Sequence, residues 1–305
     1  MKAQVRIALI QVAWAGEQRA MMAQYRQMIA EAAAQGAEII CLPEFSLAPY
    51  FPGTRDEAGF AWAERLPGGV SARFFSQMAS DYAVFVVGSL YEWADNGGLY
   101  DTATIHAPTG ELVAATRKIH IPSGDGYHET DFFAGSDQFQ VASIPPIKLA
   151  TPTCYDQWFP ELARIYSLGG AELIVYPTAI GAEPNEPTLD TQEAWETVMR
   201  GHAIANGVFV AAVNRVGVEN GVTFYGSSFV CSPSGQILAR AGRQNPEIAM
   251  ATLNASQLMQ WRHFFPLLHQ RRPDVYGQIL QRWEGDKRPL WVEDTPVWRT
   301  KPNNQ

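Results

Sequence analysis

The segment Ala37-Glu38-Ile39-Ile40-Cys41-Leu42-Pro43-Glu44-Phe45-Ser46 returns later in the chain as Ala171-Glu172-Leu173-Ile174-Val175-Tyr176-Pro177-Thr178-Ala179-Ile180. Each copy is a short apolar run closed by proline, which reads as a strand buried on both faces. Upstream of the first copy, Val5 to Val12 is a further buried strand, and Gln18 to Gln35 has helical spacing with Gly36 to stop it. A second pair of similar segments, Ala103 to Val113 and Ser228 to Leu238, aligns Pro108 with Pro233 and predicts a Pro-x-Gly hairpin in each half. Strands alternating with amphipathic segments mark an α/β protein. Two similar αβ halves can stack sheet on sheet with their helices outside, so the expected fold is a four-layer αββα sandwich with one continuous core. The alternative is that buried strands resemble each other by chance.

The 305 residues are 47% hydrophobic, enough to fill the interior of a large layered domain. With 23 Lys and Arg against 31 Asp and Glu, the net charge is −8, which leaves no excess of cations for phosphates or an anionic membrane surface. No stretch approaches the ~18 uninterrupted apolar residues of a membrane span. The N-terminal apolar run is interrupted at Gln11, unlike a secretory leader. Three cysteines are too few for a disulfide framework, so a reducing, cytoplasmic setting is expected. In the absence of a Ser/Gly-rich linker, residues 1–280 are read as one domain and 281–305 as a tail. Trp283, Trp291 and Trp298 give that tail apolar area suited to docking on a neighbouring subunit.

Context separates the three cysteines. Cys41 and Cys231 lie inside apolar strands, whereas Cys154 stands at a strand-to-turn junction ahead of Tyr155-Asp156-Gln157-Trp158-Phe159-Pro160. Pro160 suits the first turn of a helix, and the carboxyl edge of a sheet is where α/β folds bind ligands. Cys154 is thus either a nucleophile or one more small buried hydrophobe. A nucleophilic thiol needs a base and a cation or donor for the developing oxyanion, and Glu44 and Lys118, each at a strand end, fit those needs. Read singly, they are equally a solvated carboxylate and a surface lysine. His106, His120, His128 and His202 lack metal-ligand spacing and no Cys-x-x-Cys occurs, so neither a metal nor another cofactor is expected.

Leu42-Pro43-Glu44, Arg117-Lys118-Ile119-His120, and Cys154-Tyr155-Asp156 with Phe159-Pro160-Glu161 resemble, in order and spacing, the three signature blocks of the nitrilase superfamily. The resemblance extends to about Tyr276. It implies the αββα sandwich, at least a dimer, and a Glu44-Lys118-Cys154 triad with Glu129 as a further glutamate beside the lysine. Gly126-Tyr127-His128-Glu129, Asp156 to Glu161 and Tyr176 to Pro184 are most similar to the branch that hydrolyses N-carbamoylputrescine. That likeness implies a covalent cysteine mechanism on a small carbamoyl amine. Gln157 and Trp158 stand where relatives acting on N-carbamoyl amino acids carry carboxylate-binding arginines, so a distal ammonium would look instead for an acid, for which Glu183 is the candidate. A solvated loop acid is the other reading of Glu183. Tyr50 and Trp158 are expected along the aliphatic spacer, and the Tyr155 amide at the oxyanion. Three departures stand out: Pro152 in the strand before the cysteine, a shortened loop at Ala134 to Ser136, and Thr130 in place of a usual lysine. The alternatives are an amidase on another small amide, ω-amidase-like or acting on N-carbamoyl amino acids, and a non-catalytic interaction protein on the same sandwich.

Overall fold

The computed structural model describes residues 1–186 and 188–281. The proposed tail, with Trp283, Trp291 and Trp298, lies outside the described residues. The chain divides into two compact units, Met1–Phe265 and one beginning at Pro266. In the second, the described residues form two short 3-10 turns, Pro273–Val275 and Gly277–Leu280.

The first unit opens with strand β1 (Gln4–Ala13), helix α1 (Gln18–Ala34) and strand β2 (Ile39–Cys41). Helix α2 (Val70–Tyr82), then β3 (Phe85–Trp93), β4 (Leu99–His106) and β5 (Leu112–Arg117) complete the first half. The second half has β6 (Ala142–Ser143), β7 (Lys148–Ala150), α3 (Pro160–Leu168), β8 (Leu173–Pro177), α4 (Gln192–Asn206) and β9 (Phe209–Val213). It continues through β10 (Arg215–Glu219), β11 (Val222–Tyr225), β12 (Phe229–Cys231), β13 (Ile237–Arg240), β14 (Glu247–Asn254) and α5 (Ala255–Phe264).

One sheet runs β11-β10-β1-β2-β3-β4-β5 with β14 also paired to β1, and the other runs β13-β12-β9-β8-β7-β6. Strand alternation sorts each apolar run between two cores. Val5, Ile7, Leu9, Ile39 and Cys41 pack against Leu149, Leu173, Val175 and Phe209 between the sheets. Ala8, Ile10, Ile40 and Leu42 face Tyr25, Ile29, Phe75 and Met78 of α1 and α2, while Ile174 and Tyr176 face Leu162, Tyr166, Trp195 and Met199 of α3 and α4. The layers are α, β, β, α, the four-layer sandwich that the sequence predicts.

The repeat holds at the level of hydrogen bonds. Glu38 N donates to Arg6 O and Phe85 N to Glu38 O, at 2.8 and 2.9 Å; Glu172 N donates to Lys148 O and Phe209 N to Glu172 O, both at 2.9 Å. Each hairpin closes with a left-handed glycine, Gly110 (φ 85°) and Gly235 (φ 76°), the conformation that a side chain resists. The chain crosses from one sheet to the other at Asn214, which lies between β9 and β10. No helix among the described residues is long and apolar enough to cross a membrane.

Candidate active site

Strand ends from both halves converge on one buried cluster. Pro43 ends the β2 run, and Glu44 behind it is fully buried. β5 ends at Arg117, and Lys118 follows with its backbone N bonded to Asp101 O at 2.8 Å. The Lys118 Nζ lies 2.8 Å from Glu44 Oε1, 2.5 Å from Glu129 Oε2 and 3.5 Å from Asp101 Oδ2. Glu129 belongs to a short 3-10 turn, and its other oxygen accepts the Tyr50 hydroxyl at 2.9 Å. Oxygens of Glu44, Asp101 and Glu129 within 4.8 Å of one another would suit a divalent cation by ligand type, but the Lys118 ammonium already stands among them.

Cys154 opens a 3-10 turn with φ 37°, a left-handed value that a non-glycine residue adopts only under constraint from its surroundings. Asp156 supplies much of that constraint. Its carboxylate accepts the backbone N of Ile119 at 3.2 Å, of His120 at 2.8 Å and of Thr153 at 3.4 Å, and lies 3.0 Å from His120 Nδ1. The cysteine turn and the lysine segment are thereby tied through one buried acid. Pro152 falls after β7, which stops at Ala150, so its missing N–H removes nothing from the ladder. The short loop at Ala134 to Ser136 also braces the lysine, with Ser136 N donating to Lys118 O at 3.0 Å and Ala134 N to Leu99 O at 2.9 Å. Thr130 is exposed.

Burial dominates the electrostatics. It pushes the Glu44 carboxyl well above its ordinary range, against the pull of Lys118 and with help from Asp101 and Glu129. Glu129 is raised by burial too, against the same pull of Lys118. Burial acts to discharge Lys118, but Glu129 and Glu44 outweigh it and keep the ammonium charged. The Cys154 thiol is raised by burial and by the Glu44 charge, so it rests protonated and needs a base. Its Sγ is 3.7 Å from Ala179 O. Cys41 and Cys231 are buried in the cores, the latter pushed up to about 12 by burial, and neither lines the cavity.

A cavity of about 560 Å³ opens onto this cluster. Cys154, Glu129, Tyr155, Trp158 and Glu183 all line it. Burial raises the pKa of Glu183, which is half-buried in the cavity lining. Tyr50 departs from expectation: it stands behind Glu129, packed on Phe45, Tyr127 and Phe224, rather than along the spacer, because Glu219 accepts its backbone N at 2.8 Å and holds the loop inward. The sequence alone does not mark Asp101, Asp156, Arg215 and Glu219 as parts of this cluster. The one local signal was Asp101 itself, an acid in the otherwise strand-like run Leu99 to His106.

The family model for carbon-nitrogen hydrolases matches residues 6–263. A citrullinase from Francisella tularensis is 34% identical over 286 residues, covering 92% of this chain and all of the relative. An N-carbamoylputrescine amidase from Solanum lycopersicum is 35% identical over 285 residues, covering 90% of this chain and 95% of the relative. Among solved structures, a carbon-nitrogen hydrolase from Helicobacter pylori G27 superposes with a TM-score of 0.87 at 33% identity, covering 92% of this chain and 100% of that one. The chain belongs to the carbon-nitrogen hydrolase family of the nitrilase superfamily, as a hydrolase of carbon–nitrogen bonds other than peptide bonds.

Proposed function

We propose that the enzyme hydrolyses the terminal ureido group of an N-carbamoyl amine, with N-carbamoylputrescine as the fitting substrate and putrescine, carbon dioxide and ammonia as products. Glu44 takes the thiol proton as Cys154 Sγ attacks the carbamoyl carbon, and Lys118 with the Tyr155 backbone amide receives the oxyanion. Glu44 then protonates the departing ammonia, leaving a carbamoyl thioester on Cys154. Water, activated by Glu44, cleaves the thioester to the carbamic acid and the free thiol, and the carbamic acid then loses carbon dioxide to give the amine. Glu129, held by Tyr50 and paired to Lys118, keeps the ammonium aimed at the reacting carbon.

The observation that carries the substrate class is the charge of the cavity wall. Its described lining includes Asp125, Glu129, Glu183 and Glu186 but no lysine or arginine, so an alkyl chain ending in an ammonium finds partners there and a carboxylate does not. The aromatic face of Trp158 and the apolar side of Ile180 suit the methylene spacer. The citrullinase relative favours a second reading, citrulline, which carries the same ureido group and also an ammonium, but adds a carboxylate. Ammonia release from N-carbamoylputrescine, citrulline and an ω-amide, measured side by side, tests the choice. The expected order places N-carbamoylputrescine first in kcat/KM; no release from it, or faster turnover of citrulline, ends the proposal.

A further inference from the structure

The cluster around Lys118 contains one acid more than the triad and Glu129 require. Asp101, the third residue of β4, is fully buried, with Oδ1 accepting the Ser89 hydroxyl of β3 at 3.0 Å. Its Oδ2 lies 3.5 Å from Lys118 Nζ, long for a hydrogen bond, and no donor reaches it. Glu44 repeats the pattern, with Oε1 on Lys118 at 2.8 Å and a buried Oε2 that no donor reaches. Oxygens of the two carboxyl groups lie within 4.8 Å of each other. Two ionised carboxylates this close repel each other, and each orphaned oxygen alone is costly in a dry interior, whereas one proton between them would relieve both.

The charge count agrees. Glu44, Asp101 and Glu129 would carry three negative charges against the single Lys118 cation. Glu129 is satisfied by Lys118 and by the Tyr50 hydroxyl, which assigns the extra proton to the remaining pair. The groups facing Asp101 are Glu44 from the loop after β2, Ser89 from β3, Lys118 after β5 and, across the ammonium, Glu129 and the Cys154 thiol.

We propose that Asp101 is a positioning residue that shares one proton with Glu44, so that a carboxyl–carboxyl hydrogen bond orients the base toward Cys154. The inference rests on the reading of Glu44 as the base. The pair titrates as a unit. With one proton it offers a properly held carboxylate to the thiol. Receipt of the thiol proton fills it, and departing ammonia takes one proton away again. Loss of the shared proton at alkaline pH leaves two like charges in contact, and the hydrogen bond that orients Glu44 disappears.

Asp101→Asn replaces the shared proton by a fixed N–H donor of the same shape, and Asp101→Leu removes the donor. Infrared spectra of the substrate-free enzyme near neutral pH should contain the carbonyl stretch of a protonated carboxyl group, absent from Asp101→Asn. That variant should turn over substrate within about threefold of the parent, with the alkaline limb of kcat/KM moved to higher pH. Asp101→Leu should lose roughly 100-fold at every pH, the scale of a lost hydrogen bond to a buried charge, with a cooperative melt retained. A protonated-carboxyl band unchanged in Asp101→Asn, or an Asn variant as inactive as the Leu variant, overturns the shared proton. Failure of the underlying hydrolase reading looks different: iodoacetamide labelling that Cys154→Ala does not reduce.

Discussion

The loops that follow β2 and β8 begin alike and end in different chemistry. Both leave a buried strand through a proline, Pro43 and Pro177, and both are then gripped where the chain crosses between the sheets, by Asn214 and by Arg215 at the start of β10. Arg215 grips the first, with Nη2 and Nε donating to the single carbonyl oxygen of Glu44 at 3.0 and 3.1 Å, and Nη2 to those of Phe45 and Ala48 at 2.5 and 2.6 Å. Asn214 grips the second, accepting Ile180 N at 3.0 Å and donating to Ile180 O at 2.9 Å. After the first proline comes Glu44, whose side chain enters the cluster. After the second comes Thr178, whose hydroxyl turns back to Tyr176 O at 3.0 Å while its carbonyl accepts Glu44 N at 3.4 Å. Next to it, Ala179 O faces the Cys154 thiol. The first loop thus contributes side-chain chemistry, and the second backbone acceptors and, further along, Glu183 of the acid-lined wall. A repeated scaffold fixes where the two loops meet, and single substitutions within it decide what each contributes.

The comparison is broken most severely by making the first loop resemble the second. Glu44→Thr should leave the fold intact and lower turnover by about 1,000-fold or more, since members of a covalent triad act as a unit. Cys154→Ala and Lys118→Ala should do the same in an ammonia-release assay, whereas Cys41→Ser and Cys231→Ser should not. Appreciable turnover by Glu44→Thr would move the base elsewhere.

The two clamps should differ in cost. Arg215→Met strands the buried Glu219, whose oxygens lie 2.6 and 2.8 Å from Arg215 Nη1, and removal of one partner of a buried ion pair costs ~3–5 kcal/mol. Asn214→Leu removes neutral hydrogen bonds and should cost less, about 1–3 kcal/mol. Urea unfolding of both variants measures the difference, and equal losses would deny the charged clamp any special weight.

The wall after the second loop should govern affinity rather than chemistry. Glu183→Gln should raise KM for N-carbamoylputrescine on the order of 10- to 100-fold, the range of a charge-assisted hydrogen bond, with little change in kcat or for a neutral analogue. Only the ionised carboxylate pairs with the ammonium, and burial raises its pKa. KM of the parent should therefore climb as pH falls through that raised value, and the Gln variant should lack this climb. An equal response from the neutral analogue would assign Glu183 to loop shape alone.

The smallest contrast lies in the hairpins, where buried His106 corresponds to buried Cys231 in the repeat. Burial lowers the His106 pKa to about 4 from 6.5. Below 6.5 the unfolded chain takes up a proton that the fold refuses until about 4, so stability falls as pH falls across that window. The loss should be about 1 kcal/mol at pH 5.5. His106→Cys should flatten that part of the stability curve, as followed by urea melts at pH 7 and 5.5; an unchanged slope would mean that His106 titrates normally.

The sequence by itself determined the layers, the two halves, the hairpins and the candidates Glu44, Lys118, Glu129 and Cys154. Those features are local: strand alternation, helix stops, proline and glycine turns, and short ordered motifs depend on residues adjacent in the chain. Tertiary structure alone decided which groups complete the cluster. Asp101 reads in sequence as a polar residue in an alternating strand, and becomes a partner of Glu44 only when β4 pairs with β3 and β5. Asp156 looks like part of the cysteine motif, yet it ties that motif to Lys118, 38 positions earlier, through the next two backbone amides. Tyr50 was expected along the cavity and instead supports Glu129, because Glu219, 169 residues away, holds its backbone. A side chain's partners across the sheets depend on strand order and register, which no short window of sequence contains.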